Sequence, residues 1–249
     1  MILGYHEIVP DECQYIYTLS CERLREHVRF LVTLRAEPAS VARLSMTFDD
    51  GDFSHYRYAV PLLQEYSCQG IFFVTAGWTG TRPGYMNWEQ LREIVSMGHE
   101  VQSHGWSHKY LSHCSGPELA TELERSKKSL EDGLGVPVEA LAAPGGAWNA
   151  RVAEVCAMTG YKRFYITDPW FGTREESGLK ISGRMMVKRT LDPAGLQRLL
   201  DAERKRFSML RTTFRLKQTV RAVLGDRTYH RLWLWLAHAS EEVKAESYF

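Results

Sequence analysis

Two carboxylates stand side by side in LSMTFDDGD, residues 44–52, at the end of an apolar run and before a glycine. Adjacent like charges repel, so Asp49 and Asp50 belong in solvent or beside a cation. Further along, GHEVQSHGWSH sets His104 and His108 four positions apart, just after another short apolar run. At that spacing two imidazoles share one face of a helical turn and reach one ion. A carboxylate from another strand end would complete a three-ligand site that keeps positions open for water or substrate, as a catalytic zinc requires. One aspartate would then bind the cation while the other takes a proton. Spacing leaves open which does which, because neighbouring strand residues point to opposite faces. A third stretch, LAAPGG, carries glycines that let backbone approach a ligand closely.

These stretches need a scaffold that brings successive strand ends to one mouth. Seven apolar runs predict strands: ILGYH, RLSMTF, GIFFVTAG, HEVQS, VEALAA, RFYIT and MMVKR. Helical patterns lie between them. Residues 21–35 carry an apolar stripe behind Ser20, and a second helix is predicted over 56–67. NWEQLREIVSMG reads as a helix capped by Asn87, with Gln90 at the capping-box position and Gly98 closing it. SGPELATELERSKKSLEDG is another, with Pro117 in its first turn and Gly133 at its end; Asn149 to Gly160 and a helix opened by Asp192 and Pro193 complete the set. Strands alternating with helices mean an α/β fold, a mostly parallel sheet curled into a barrel or partial barrel, with chemistry at the C-terminal strand ends.

Composition narrows the function class. With 249 residues, 44% of them hydrophobic, the chain can bury a sizeable core, and a net charge of +1 makes no case for nucleic acid. Five scattered cysteines without a CxxC pair fit a reducing compartment. The start MILGYHEIVPDE has no basic n-region or long apolar h-region, and no run approaches the ~18 apolar residues of a membrane span, so a cytoplasmic protein is expected. Residues 201–249 are expected to form a helical extension to a barrel over 1–200. From Arg204 to Ser240 there are nine Lys or Arg and one acid, Asp226, interleaved with aromatics. That pattern fits amphipathic helices lying on the anionic inner face of a membrane, or helices docked on the barrel with a solvated basic side.

The chain resembles the polysaccharide deacetylase family, carbohydrate esterase family 4, with its NodB-homology domain. The family motif TFDDG stands here as Thr47, Phe48, Asp49, Asp50 and Gly51. Its HxxxH pair follows Gly98, His99 and Glu100 as His104 and His108, and LGYHEI resembles the YH start common in these proteins. The resemblance implies a distorted (β/α) barrel of about seven parallel strands. It implies Asp49 as general base, and Asp50, His104 and His108 as ligands of a divalent metal. Zinc suits that set, as do cobalt, nickel or iron. The backbone N–H at Gly145 would hold the oxyanion. The implied reaction removes the N-acetyl group of an amino sugar in a polysaccharide or glycoconjugate intermediate.

Three departures stand out. The arginine that opens the family's RxPxG motif is Ala142 here. Arg184, Lys188 and Arg189 are candidates to replace it, against an ordinary reading as solvated surface charges. The fourth motif's aspartate and tryptophan map to Asp168 and Trp170 in ITDPW, where Asp-Pro also favours a plain turn. The late histidine that serves as general acid is missing, and His6, at the end of the first strand, is the substitute candidate. His99 and His113 are expected to be structural. Trp78, Tyr85, Trp88, Trp106, Trp148 and Trp170 lie in or beside loops that follow strands, where flat rings suit pyranose faces or pack in the core. Two rival readings are a carbohydrate-binding barrel that has lost turnover, and an amidase acting on a non-sugar substrate.

Overall fold

Short runs of apolar residues fold as parallel strands when helices cover both faces of the sheet. The computed structural model describes residues 1–11, 15–36, 44–176 and 178–204, with the single positions 212, 216, 219 and 228. In chain order the elements are β1 (Ile2–Tyr5), β2 (Ile8–Val9), β3 (Leu19–Ser20), α1 (Cys21–Ala36), β4 (Ser45–Phe48), α2 (Val60–Glu65), β5 (Gly70–Val74), α3 (Trp88–Ser96) and β6 (Glu100–Ser103). Then come α4 (Gly116–Leu134), β7 (Ala140–Ala142), α5 (Ala150–Met158), β8 (Arg163–Ile166), β9 (Thr173–Glu176), β10 (Leu179–Gly183), β11 (Met185–Met186) and α6 (Pro193–Arg204).

The main sheet runs β11-β1-β4-β5-β6-β7-β8-β10-β9, and only the β9–β10 pairing is antiparallel. It is a curled, partial (β/α) barrel. The seven expected strands are present, though MMVKR shrinks to the two residues of β11. The β9–β10 hairpin and the small parallel pair β2–β3 were not expected. β9 is a TREE sequence exposed at every residue, with no apolar period to reveal it.

Helix ends follow their caps. Asn87 with Gln90, and Ser115 with Glu118, form complete capping boxes. α4 does not stop at Gly133: it runs to Leu134, and Gly135 caps it at φ +70°. Gly133 is instead a packing position, since a Cβ there would meet the Trp88 ring at 2.4 Å. The helix expected over 56–67 begins as a π turn, His55–Ala59, before α2. α6 crosses the boundary expected at residue 200, and the expectation for 204–240 lies outside the described residues apart from single positions. Among the described residues no helix is long and apolar enough to cross a membrane. Cys21, Cys68, Cys114 and Cys156 are free thiols, and Cys13 lies outside the described residues.

The core runs directly beneath the paired aspartates. Phe48 stacks between Tyr5 at 5.2 Å and Phe72 at 4.9 Å. The Tyr5 hydroxyl lies 3.1 Å from His27 Nδ1, and His27 Nε2 donates to the Leu191 carbonyl at 2.7 Å. That chain ties β1, α1 and the segment before α6 together.

Candidate functional site

Five parallel strands deliver side chains or backbone to one mouth: β1 to His6, β4 to Asp49 and Asp50, β6 to His104, β7 to Gly145 and β10 to Arg184. Asp49 still belongs to the ladder, its N–H bonded to the Tyr5 carbonyl at 2.8 Å. Asp50 then takes a left-handed conformation at φ +73°, and Gly51 follows at +84°. This turn cancels the strand's alternation, so neighbouring carboxylates share a site. A non-glycine residue there costs about 1–2 kcal/mol, strain of the kind that gathers at functional sites. Backbone bonds hold it, Thr75 N–H to Asp50 carbonyl at 3.2 Å and Met86 N–H to Gly51 carbonyl at 2.9 Å.

Asp50 Oδ1 lies 3.3 Å from His104 Nε2 and 3.1 Å from His108 Nε2. The three ligand atoms are within 4.8 Å of one another. The two imidazoles, 5.1 Å apart at their centroids, meet across an irregular loop rather than on the helical turn the spacing suggested, because His108 is itself left-handed at φ +63°. His104 Nδ1 donates to the Ala142 carbonyl at 2.9 Å, since a carbonyl can only accept. A neutral His104 therefore turns a bare Nε2 lone pair toward Asp50. Asp50 Oδ1 is buried and has no hydrogen-bond partner among the described residues. Lone pairs converging in a buried pocket fit a divalent cation, with two nitrogens and one oxygen as donors and the carbonyl behind His104 fixing its tautomer. Burial alone would raise the Asp50 carboxyl, but the two imidazoles beside it hold it well below the usual carboxylate range.

Asp49 is paired differently. Arg184 grips it with two bonds, Nη1 to Oδ1 at 2.6 Å and Nη2 to Oδ2 at 2.9 Å, and Nη1 also donates to Thr47 Oγ1 at 3.0 Å. Arg184 is fully buried, with its guanidinium 5.1 Å over the Phe73 ring. The reading of Arg184 as a solvated surface charge is therefore overturned, while Lys188 and Arg189 are exposed as that reading has it. The cation missing at Ala142 arrives from β10, two strands away in the sheet. Burial pushes the Asp49 carboxyl up, and the Arg184 guanidinium outweighs it, so Asp49 stays below the usual range and ionised at neutral pH. The sequence held one signal for this. Leu179 and Ile181 alternate into Gly183, a strand pattern that ends on Arg184; reading the strand at MMVKR put Arg184 before a strand instead of after one.

His6 faces the same mouth. Burial lowers its pKa, and the nearest charges acting on it are Asp50 and Asp49. Its Nδ1 is buried with no hydrogen-bond partner among the described residues. Gly145 is exposed, at φ +60° in the turn Pro144–Gly146, and a Cβ there would meet the Tyr110 ring at 2.3 Å. Glycine thus lets the third loop pass close against the Tyr110 ring.

The aromatic residues divide. Trp78 stacks on His108 at 5.2 Å and packs on Tyr85 at 4.7 Å, and Asp50 is the charge that acts most strongly on Tyr85, so both line the mouth. Trp106 is half-buried against the core, backed by Gly77 and covered by the Arg125 guanidinium at 3.8 Å. Trp148 packs edge-on to Phe164 and Phe171, and Trp88 lies under Gly133. Asp168 accepts the Trp170 N–H at 2.9 Å, closing its own turn. His99 bridges Gln64 and the Gly70 N–H, a structural role as expected.

The family model described as polysaccharide deacetylase matches residues 36–164. A putative polysaccharide deacetylase, YxkH of Bacillus subtilis, is 25% identical over 173 residues, 70% of this chain and 56% of its own length. The peptidoglycan-N-acetylglucosamine deacetylase PgdA of Listeria monocytogenes is 30% identical over 129 residues, 51% of this chain and 27% of its own. The chain thus spans little more than half the length of the first of these relatives and about a quarter of the second. In fold, the deacetylase PplD of Streptococcus pyogenes superposes with a TM-score of 0.69 at 22% identity, over 80% of this chain and 96% of that one. IcaB from Ammonifex degensii gives 0.65 at 22% identity, over 81% and 96%.

Proposed function

This chain belongs to the polysaccharide deacetylase family, and on that premise we propose that it removes N-acetyl groups from amino sugars in a glycan or glycoconjugate, with Asp50, His104 and His108 holding a divalent cation. The observation that carries the reading is the division of labour between neighbours: Asp50 faces two imidazoles, while Asp49 is gripped by Arg184 and left ionised. The chemistry supplied by a divalent cation at this site is Lewis acidity, which polarises the acetamide carbonyl and makes a water easier to deprotonate. Zinc is the favoured ion for a donor set of two imidazoles and one carboxylate.

The chain's own residues do the rest. Asp49 Oδ takes the proton of the attacking water, and Arg184 keeps that carboxylate oriented and charged beforehand. The Gly145 N–H stabilises the oxyanion of the tetrahedral intermediate. His6 gives a proton to the leaving nitrogen, the C–N bond breaks, and acetate and a free amine depart. Burial lowers the His6 pKa, so its protonated form is the stronger acid. Trp78 and Tyr85 offer ring faces to the sugar at the metal side of the mouth. The free thiols of the described cysteines support a cytoplasmic setting, and a substrate intermediate made there suits an enzyme of polysaccharide biosynthesis.

The test is acetate release from N-acetylhexosamine oligomers by protein loaded with zinc. Asp49→Asn should bind the metal as wild type does and release acetate at least about 10²-fold more slowly. Equal rates for the two proteins would sink the proposal. A barrel that binds glycans without turnover is favoured only if wild type retains the oligomers and releases nothing.

A further inference from the structure

Every residue between the two histidine ligands is fastened to one face of α4. Glu122 Oε2 accepts the N–H groups of Trp106 at 3.1 Å and Ser107 at 2.9 Å, and Oε1 accepts the Ser107 hydroxyl at 2.5 Å. One turn on, Ser126 Oγ donates to the Gly105 carbonyl at 3.0 Å and lies 2.8 Å from Ser103 Oγ. The Arg125 guanidinium covers the Trp106 ring. Positions 122, 125 and 126 share a helix face, so α4 holds the span from one side, while on the other the N–H groups of Ala76 and Gly77 donate to the carbonyls of Gly105 at 3.1 Å and Trp106 at 2.8 Å.

Glu122 is an unusual residue to bury. It is 6% exposed, and its hydrogen-bond partners among the described residues are N–H and O–H donors of the loop rather than a lysine or arginine. A buried carboxylate is tolerated when several donors converge on it. Here all of those donors belong to residues 106 and 107. The loop they belong to turns left-handed twice, at Gly105 with φ +80°, which glycine adopts freely, and at His108 with φ +63°, where a side chain makes it strained. His104 is anchored separately by the Ala142 carbonyl. The N–H groups of the backbone leading into His108 have their anchor in Glu122.

We propose that Glu122 is a positioning residue for the cation site, holding the left-handed loop that aims His108 Nε2 at the point where Asp50 and His104 converge. The inference rests on the reading of Asp50, His104 and His108 as cation ligands. Its carboxylate touches neither the cation nor the substrate. It acts by fixing backbone, in the way outer partners of metal ligands commonly set affinity by 10–100-fold.

The experiment is titration of the metal-free full chain with Co²⁺, reading the dissociation constant and the visible absorption bands, with circular dichroism as a check on folding. Glu122→Gln offers one acceptor oxygen to three donors and presents an amide where two N–H groups point. It should bind Co²⁺ about 10–100-fold more weakly, with altered bands. Ser107→Ala keeps the carboxylate and both backbone donors and should weaken binding by only a few-fold. Glu131→Gln is the matched control on the same helix: its carboxylate bonds Lys127 and the Val138 N–H, away from the loop, and should leave affinity and bands unchanged. A folded Glu122→Gln with the wild-type constant and spectrum overturns the proposal. If that variant fails to fold, an unchanged constant for Ser107→Ala overturns it instead. Failure of wild type itself to bind Co²⁺ would count against the cation site, a separate result.

Discussion

The two carboxylates of the mouth draw on different regions of the chain. Asp50 and its partners His104 and His108 all lie within residues 36–164, the stretch the family model matches. Asp49 lies there too, but the arginine that grips it is 135 positions away, and His6 precedes the stretch. The difference reflects what each partner must do. Metal ligands need ring nitrogens placed within tenths of an ångström, which short loops at the ends of nearby strands, here β4 and β6 with β5 between them, provide. An arginine reaches over a long stem and bonds a carboxylate by its planar fork, so any strand end around the mouth can supply it. With Ala142 on β7, the arginine that meets this carboxylate comes from the end of β10.

The sharpest way to break this comparison is to remove a ligand from the matched region. Asp50→Asn should abolish tight metal binding and cut acetate release by about 10³-fold or more, as loss of several kcal/mol of charge stabilisation requires. Metal content after dialysis, measured beside the rate, decides it.

Arg184→Met tests the other side. It strands a buried carboxylate, so unfolding stability should fall by about 3–5 kcal/mol. Without its cation Asp49 titrates higher, and the acid limb of the kcat/KM profile should move to higher pH while the metal constant stays put. An unmoved limb in a folded variant would separate Arg184 from the base.

Acid should loosen the flanks. Burial lowers the His27 pKa to about 4 against 6.5 when unfolded. The unfolded chain therefore binds the extra proton first, and the contribution present above pH 6.5 is lost as pH falls toward 4. That is about 3 kcal/mol by linkage. Urea midpoints between those pH values should show the loss, and His27→Gln should flatten it.

His6→Asn should slow turnover by about 10²-fold, at the lower end of general-acid contributions, without changing metal content. Loss of metal along with activity would recast His6 as part of the cation site. Lys188→Ala should shift stability by less than about 0.5 kcal/mol and leave the pH profile alone, as an exposed position. A moved acid limb there would mean that Arg184 is not the only cation tuning Asp49.

Local patterns in the chain were enough for much of this. TFDDG and the HxxxH pair picked out the three side chains that the structure brings within 4.8 Å of one another, because a cluster built from strand-end loops leaves its members at short, readable spacings. Alternating apolar runs marked the seven core strands, and Asn87 with Gln90 marked a helix start, because strand burial and capping depend on near neighbours. Only the folded molecule showed how adjacent aspartates share one site, since the left-handed turn at Asp50 is a choice the surrounding backbone enforces. It alone paired Arg184 with Asp49 and set Glu122 behind the ligand loop. Those partners are joined by the curl of the sheet and the packing of α4, and no spacing along a chain records which strand ends will meet.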